Sequence, residues 1–236
     1  MSILVCKGLT KTYGPDAGVQ DVDLEVGEGE VIGLIGPNGG GKSTLLLLMA
    51  GLVEPERGSS TVDGTHATTL ARSGAGKVGL ITARPGVYPL LTGWENLTFF
   101  GQLFGIGEAE VKKRVGDLLD ELGVTAHLDR RVATYSSGMK QKLSFARALL
   151  MDPRVLLLDE PTANLDPTSA HAVHQQIRRR ADRGLAVVLA THDLWSADHI
   201  CDRVVMLNGG VQEVVENDGD RKLPRHRLLD VYERGQ

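Results

Sequence analysis

Short apolar runs recur along the 236-residue chain, and their patterns predict β-strands. Residues 3–26 alternate between apolar and polar positions and are interrupted at Gly14-Pro15-Asp16, which predicts two antiparallel strands. Continuous runs without alternation are typical of strands buried on both faces, as in a parallel sheet. Such runs occupy residues 31–35, 155–158 and 186–190, and a further strand at 204–207 leads into a predicted hairpin at Asn208-Gly209-Gly210.

Helical periodicity appears between these strands. Residues 42–50 predict a helix that ends at Gly51. Residues 108–123 and 138–151 place apolar side chains at helical spacing with charged residues between them. We therefore expect an α/β fold: a mostly parallel sheet, an N-terminal antiparallel β subdomain, and a helical subdomain inserted at about residues 85–150.

Composition narrows the class of protein. The hydrophobic share of 42% and charged share of 24% are those of an ordinary globular protein. A net charge of -4 argues against nucleic acid as a partner. No apolar run approaches the ~18 residues of a membrane span, and the N-terminus shows no signal segment. Cys6 and Cys201 form neither a metal motif nor a disulfide framework, so we expect both in the core of a protein in the reducing cytoplasm.

A glycine-rich motif follows the run at residues 31–35 and precedes the first helix. It fits G-x-x-x-x-G-K-[ST], the phosphate-binding loop of nucleoside triphosphatases. Backbone N–H groups and the helix N-terminus would face phosphate oxygens, Lys42 would reach the β- and γ-phosphates, and Ser43 would bind Mg²⁺. The predicted ATP-binding residues here, which we call the phosphate loop, are Gly36, Pro37, Asn38, Gly39, Gly40, Gly41, Lys42, Ser43 and Thr44.

Two carboxylates end the buried run at residues 155–158. Asp159 stands where a side chain can hold Mg²⁺ through water. Glu160 follows directly and could orient or deprotonate an attacking water. An apolar run that ends in Asp-Glu is common, and it gains meaning here through the phosphate loop. The two motifs thus predict a site that binds a nucleoside triphosphate together with Mg²⁺.

Together these motifs resemble the ABC ATPase family, over residues 9–208. Tyr135 to Gln141 is similar to the family signature Leu-Ser-Gly-Gly-Gln. The resemblance implies that Ser136, Ser137, Gly138 and Met139 grip the γ-phosphate of an ATP bound to the other subunit. Asp166, in Asn164-Leu165-Asp166, resembles the D-loop, and His192 resembles the switch histidine that would stabilise developing charge. Tyr13 matches the aromatic residue that stacks on adenine.

The family resemblance also implies partners. Each site would combine one subunit's phosphate loop with the other's signature, so we expect a homo- or heterodimer, bound to a separate transmembrane permease at the cytoplasmic face of the membrane. The stretch from Val87 onward resembles ATPases of ABC-2-type exporters. We expect Tyr88 and Trp94 to line a groove for a helix of the permease, while other rings of this stretch pack the helical subdomain.

One position departs from the family. Ala83 stands where the family has a glutamine that touches the metal and the attacking water. Either Arg84 takes over part of that role, or the contact is absent and turnover suffers. This leaves an alternative function, an ATP-binding regulatory protein with little hydrolysis. Met139 in place of the signature glutamine is a milder change.

Several polar features predict no chemistry of their own. His171 and His174 have no third ligand nearby, so we expect solvated helix surface rather than a metal site. Residues 178–180 and Arg183 predict an exposed basic helix face. We expect the ATPase domain to span residues 2–215, followed by a polar tail at 216–236 with one short helix at 228–232.

Overall fold

The structure, a computed structural model, describes residues 1–14, 17–163 and 165–216. This part of the chain contains seven α-helices and ten strands. The strands, in chain order, are β1 (Ser2–Gly14), β2 (Ala17–Gly27), β3 (Val31–Ile35), β4 (Arg57–Val62), β5 (Thr65–His66), β6 (Val78–Ile81), β7 (Val155–Asp159), β8 (Ala186–Ala190), β9 (Arg203–Asn208) and β10 (Gly210–Glu216). The helices are α1 (Lys42–Met49), α2 (Ala67–Ser73), α3 (Gly93–Leu103), α4 (Glu108–Glu121), α5 (Ser137–Leu149), α6 (Pro167–Ala181) and α7 (Leu194–Ile200).

The central sheet has the order β10-β9-β3-β8-β7-β6. All neighbouring strands are parallel except β9 and β10, which form the antiparallel hairpin predicted at Gly209. Every residue of β3 and of β8 is buried, because helices and the second sheet cover both faces. The carboxyl ends of β3, β7 and β8 therefore meet at one edge, where a parallel sheet places its site.

The N-terminal sheet is antiparallel and has the order β2-β1-β4-β5. The predicted pair of strands within residues 3–26 is confirmed as β1 and β2, and the predicted break at 15–16 lies outside the described residues. One hydrophobic core fills the space between this sheet, α1 and the central sheet. Leu9, Val22 and Leu34 are fully buried in it.

Helices α3, α4 and α5 lie between β6 and β7, so the expected helical insertion is present and the predicted fold class is confirmed. Thr92 caps α3 through a capping box with Glu95, which fixes where that helix begins. The apolar face of α4 packs into a second core on the other side of the central sheet. Leu156 and Leu158 of β7 point into this second core, whereas Leu157 points into the first, as strand alternation requires.

Two expectations about α6 were wrong in part: His171, Arg179 and Arg183 are exposed, but His174 and Arg178 are not. His174 is buried at 3% exposure and its ring lies 5.9 Å from that of Trp195, so it is not solvated surface. Arg178 is also largely covered, and it donates to Gly29 and Asp202. The spacing of polar residues along α6 did not reveal that α7 and the turn before β3 cover this face. His171 is exposed, and the described residues contain no cluster of three or more His, Cys, Asp or Glu side chains able to hold a metal.

The remaining expectations concern the cysteines, membrane spans and the tail. Cys6 and Cys201 are buried, and burial raises the pKa of the Cys6 thiol to about 12. None of the helices within the described ranges has the length and hydrophobicity that crossing a bilayer demands. Glu216 closes β10, and the expected short helix at 228–232 lies outside the described residues.

Candidate nucleotide site

The phosphate loop connects β3 to α1 in a conformation that only glycine permits at two points. Gly36 has φ 151°, and a Cβ there would lie 2.0 Å from the Leu207 carbonyl oxygen of β9. Gly41 has φ 93° and caps α1, and its Cβ would lie 2.4 Å from the Gly18 oxygen. The glycines thus allow the loop to pack directly on backbone from β9 and β2.

Lys42 is the first residue of α1 and folds back over the loop. Its Nζ donates to the carbonyl oxygens of Gly36 (2.7 Å) and Pro37 (2.9 Å). Burial lowers the pKa of its ammonium group, and the Glu160 and Asp159 carboxylates oppose that shift. The first turn of α1 has no acidic side chain, so its free N–H groups and Lys42 together make a positive centre suited to an anion.

Ser43 and Asp159 meet across the sheet edge. The Ser43 hydroxyl donates to Asp159 Oδ2 at 2.7 Å, although the two residues are 116 positions apart. Hydroxyl and carboxylate oxygens are ligands that Mg²⁺ accepts, usually with waters and nucleotide phosphates completing its shell. The pair therefore fits Mg²⁺ beside the phosphate loop.

Glu160 leaves β7 in the left-handed region, with φ 49°, a rare conformation for a side chain of this kind. Its Oε1 accepts from the His192 backbone N–H (3.0 Å) and lies 2.8 Å from His192 Nδ1. Its Oε2 accepts from the Thr191 hydroxyl at 3.3 Å. The structure thus brings Glu160 and His192 together at the edge that also holds Lys42.

Thr191 is a residue of this site that the sequence analysis did not identify. It is 2% exposed, and its hydroxyl also accepts from the Asp193 backbone N–H at 3.0 Å. It therefore fixes the turn after β8 to the Glu160 carboxylate. The one feature of the sequence that indicated Thr191 as a site residue was its position directly before His192.

The signature residues lie apart from the phosphate loop in sequence and in the fold. Ser136 caps α5, and its Oγ accepts from the Met139 N–H at 3.2 Å. Ser136 and Ser137 are exposed. No hydrogen bond or ion pair between described residues joins Ser136 to the phosphate loop. The exposed start of α5 can accordingly meet an anion carried by another molecule.

Asp166 and Tyr13 occupy exposed positions. Asp166 caps α6 and accepts from the Ser169 N–H at 3.0 Å. Hydrogen bonding by the Ser169 side chain, and then by its backbone N–H, lowers the pKa of the Asp166 carboxyl. Asn164 of the same motif lies outside the described residues. Tyr13 is 60% exposed near the end of β1, where Thr12 pairs with Gly18, the residue that packs on Gly41. Its ring is exposed to solvent, and the Lys11 ammonium group lies 5.5 Å from the ring centroid.

The loop after β6 holds the departure from the family pattern. Ala83 and Arg84 are both exposed, and the Thr82 hydroxyl donates to the Arg84 carbonyl at 2.8 Å. Further along, Arg147 of α5 donates to the Gly86 carbonyl and lies over the Phe100 ring, 4.7 Å from its centroid. Arg147 is a second residue whose contacts the sequence did not predict.

Phosphate loop, carboxylate pair and parallel sheet together define a P-loop nucleoside triphosphatase. Comparison with known proteins narrows this class. The sequence pattern of the ABC transporter family matches residues 19–163. The chain belongs to this family and is an ATP-binding subunit with ATPase activity.

Individual relatives agree with this assignment. The chain is 35% identical over 228 residues to the Nod factor export ATP-binding protein I of Bradyrhizobium diazoefficiens, covering 95% of this chain and 74% of that protein. A solved ATP-binding subunit of an ABC transporter superposes with a TM-score of 0.83 at 33% identity, covering 98% and 94%. The dimeric cassette MJ0796, in a post-hydrolysis state with ADP and phosphate, gives a TM-score of 0.82 at 27% identity, covering 92% and 100%.

Proposed function

We propose that this chain powers export through a separate membrane subunit, by closing on a second ATPase subunit around ATP. The similarity to the Nod factor export ATP-binding protein I supports the direction of transport. The observation that carries the proposal is the convergence of Lys42, the Ser43–Asp159 pair and the Glu160–His192 pair at one sheet edge.

In this proposal the phosphate loop binds the triphosphate, and Tyr13 stacks on adenine. Ser43 and Asp159 hold Mg²⁺, which supplies charge neutralisation at the phosphates when bound. Lys42 binds phosphate oxygens, and Glu160 accepts a hydrogen bond from the attacking water and orients it. His192 donates to the γ-phosphate as charge develops.

The exposed start of α5 supports a composite site. Ser136, Ser137, Gly138 and Met139 would contact the γ-phosphate bound by the opposite subunit, and Asp166 would lie at the interface between the two. A dimeric arrangement is known for the cassette MJ0796, which this chain resembles. Closure on ATP and reopening after hydrolysis would then move the membrane subunit.

Glu160→Gln tests the catalytic assignment. The amide keeps the shape of the side chain but removes the base, so ATP hydrolysis should fall roughly 10² to 10⁴-fold while ATP binding and ATP-dependent dimerisation persist. Hydrolysis is measured by phosphate release and dimerisation by size-exclusion chromatography. Glu110→Gln, in α4 and outside the nucleotide site, is the control and should retain full activity. Wild-type turnover in Glu160→Gln would remove Glu160 from this role.

We propose that the membrane partner docks on aromatic rings beside the loop after β6, and that the chain binds it at the cytoplasmic face of the membrane. Tyr88 lies 5.1 Å from Phe99 and 5.8 Å from Phe100, and Tyr88 is 47% exposed. Trp94 is half-buried beneath Lys112, at 5.5 Å. Tyr88→Ala should weaken co-purification with the membrane subunit, whereas Trp195→Ala, at another exposed ring, should not. Equal recovery of both variants would refute the docking site.

A regulatory ATP-binding protein with little hydrolysis is the second candidate, and Ala83 is the observation that favours it. The two functions differ in turnover. ATPase activity that rises when the membrane subunit is added supports transport. Slow ATPase activity that does not change on that addition supports the regulatory function.

A further inference from the structure

A basic cavity lies at the edge of the central sheet opposite the nucleotide site. It has a volume of about 240 Å³ and includes among its lining residues Arg154, Arg180, Arg183 and Asp152. Arg154 precedes β7, whose five residues separate it from Asp159 by about 16 Å. The cavity is therefore distinct from the phosphate loop, and we call it the arginine cavity.

Positive charge in the arginine cavity is incompletely neutralised. Arg154 pairs with Glu28 (3.6 Å) and Asp63 (3.4 Å), outside the cavity lining. Within residues 1–14, 17–163 and 165–216, Arg180 and Arg183 have no carboxylate within ion-pair distance. Asp152 is the acidic residue of the lining, and it faces three guanidinium groups.

Arg180 is incompletely compensated within the described residues. Its Nε is buried and has no hydrogen-bond partner among the described residues. Burial, and then repulsion by Arg183, lower the pKa of its guanidinium, while Asp152 and Glu121 oppose the shift. Repulsion between the Arg180 and Arg183 guanidinium groups destabilises the fold unless an anion close to both offsets it.

We propose that the arginine cavity binds a small phosphate-bearing anion between Arg180 and Arg183. Guanidinium groups pair with phosphate through parallel N–H···O bonds, and the tetrahedral anion offers enough oxygens for both arginines of the lining. The volume equals about eight waters at roughly 30 Å³ each, enough for phosphate or pyrophosphate.

Pyrophosphate titrated into the full chain by isothermal calorimetry tests this site, with saturating Mg–ADP present to occupy the phosphate loop. Arg180→Gln and Arg183→Gln should each weaken binding at least tenfold, which corresponds to about 1.4 kcal/mol. Arg179→Gln is the matched control on the same helix. Arg179 pairs with Glu121 outside the cavity lining, and this variant should bind like wild type.

The outcomes separate this site from the nucleotide site. Pyrophosphate bound only at the phosphate loop would give equal affinities in all four proteins and would overturn the proposal, as would no binding at all. Citrate binding as tight as pyrophosphate would overturn the phosphate class. Because Arg183 is exposed, Arg183→Gln keeps the test valid even where Arg180→Gln fails to fold.

Discussion

His174 makes the stability of the folded chain sensitive to acid. Its ring is buried between α6 and α7, and neither ring nitrogen has a hydrogen-bond partner among the described residues. Burial lowers its pKa from 6.5 to about 4. Asp193 opposes this shift, and His171 and His199 add to it. Replacement by leucine removes the titrating group and fills its space with an apolar side chain of comparable size.

Whether acid stabilises or destabilises the folded chain depends on which state, folded or unfolded, binds a proton on His174 more tightly. Below pH 6.5 the unfolded chain protonates His174, whereas the folded chain keeps it neutral until about pH 4. The contribution to stability is thus complete above pH 6.5 and is lost as the pH falls toward 4. A shift of this size corresponds to a total of about 3 kcal/mol, and linkage gives about 1.4 kcal/mol already lost at pH 5.5.

Urea unfolding of wild type and His174→Leu at pH 8 and pH 5.5 measures this effect. The variant should gain about 1.4 kcal/mol relative to wild type between the two pH values. At pH 8 it should be at least as stable, because leucine leaves no unpaired nitrogen in the core. His171→Gln, at an exposed position of α6, should run parallel to wild type. Parallel pH profiles for His174→Leu and wild type would refute the argument.

Two further substitutions test the nucleotide site. Gly36→Ala should abolish ATP binding in calorimetry, because a Cβ would collide with the Leu207 carbonyl, while Gly116→Ala, with open space around it in α4, should bind normally; tight binding by Gly36→Ala would contradict the packing argument. Thr191→Val should slow ATP hydrolysis about fivefold at unchanged ATP affinity, since the hydrogen bond to Glu160 contributes about 1 kcal/mol. Thr191→Ser should restore the rate, and full activity in the valine variant would exclude the positioning role.

The sheet was predictable from sequence because its strands are covered on both faces. Residues 31–35 and 186–190 carry apolar side chains at every position or nearly so, and β3 and β8 are buried throughout. The phosphate loop was equally predictable, since its chemistry lies within nine consecutive residues. In both cases the information is local.

Contacts between distant segments could not be predicted in the same way. The partner of His174 is Trp195, which reaches it only because α6 and α7 pack together. The Glu160–His192 contact joins residues 32 positions apart. The sequence motifs named both residues, but only the parallel pairing of β7 with β8 places them side by side.

Arg147 fastens the loop after β6 to the helix that begins at Ser136. Arg147 donates a hydrogen bond to the Gly86 carbonyl and lies against Phe100. Arg147 itself is eleven residues, or about 16 Å, along α5 from Ser136. An α-helix of three turns is stiff. We therefore expect a displacement of the aromatic rings to move α5 as one body, and with it Ser136 at the start of the helix. Arg147 thus adds a side-chain link between these two surfaces, beside the backbone hydrogen bonds that Val132 donates to Leu91 and Ala133 donates to Pro89.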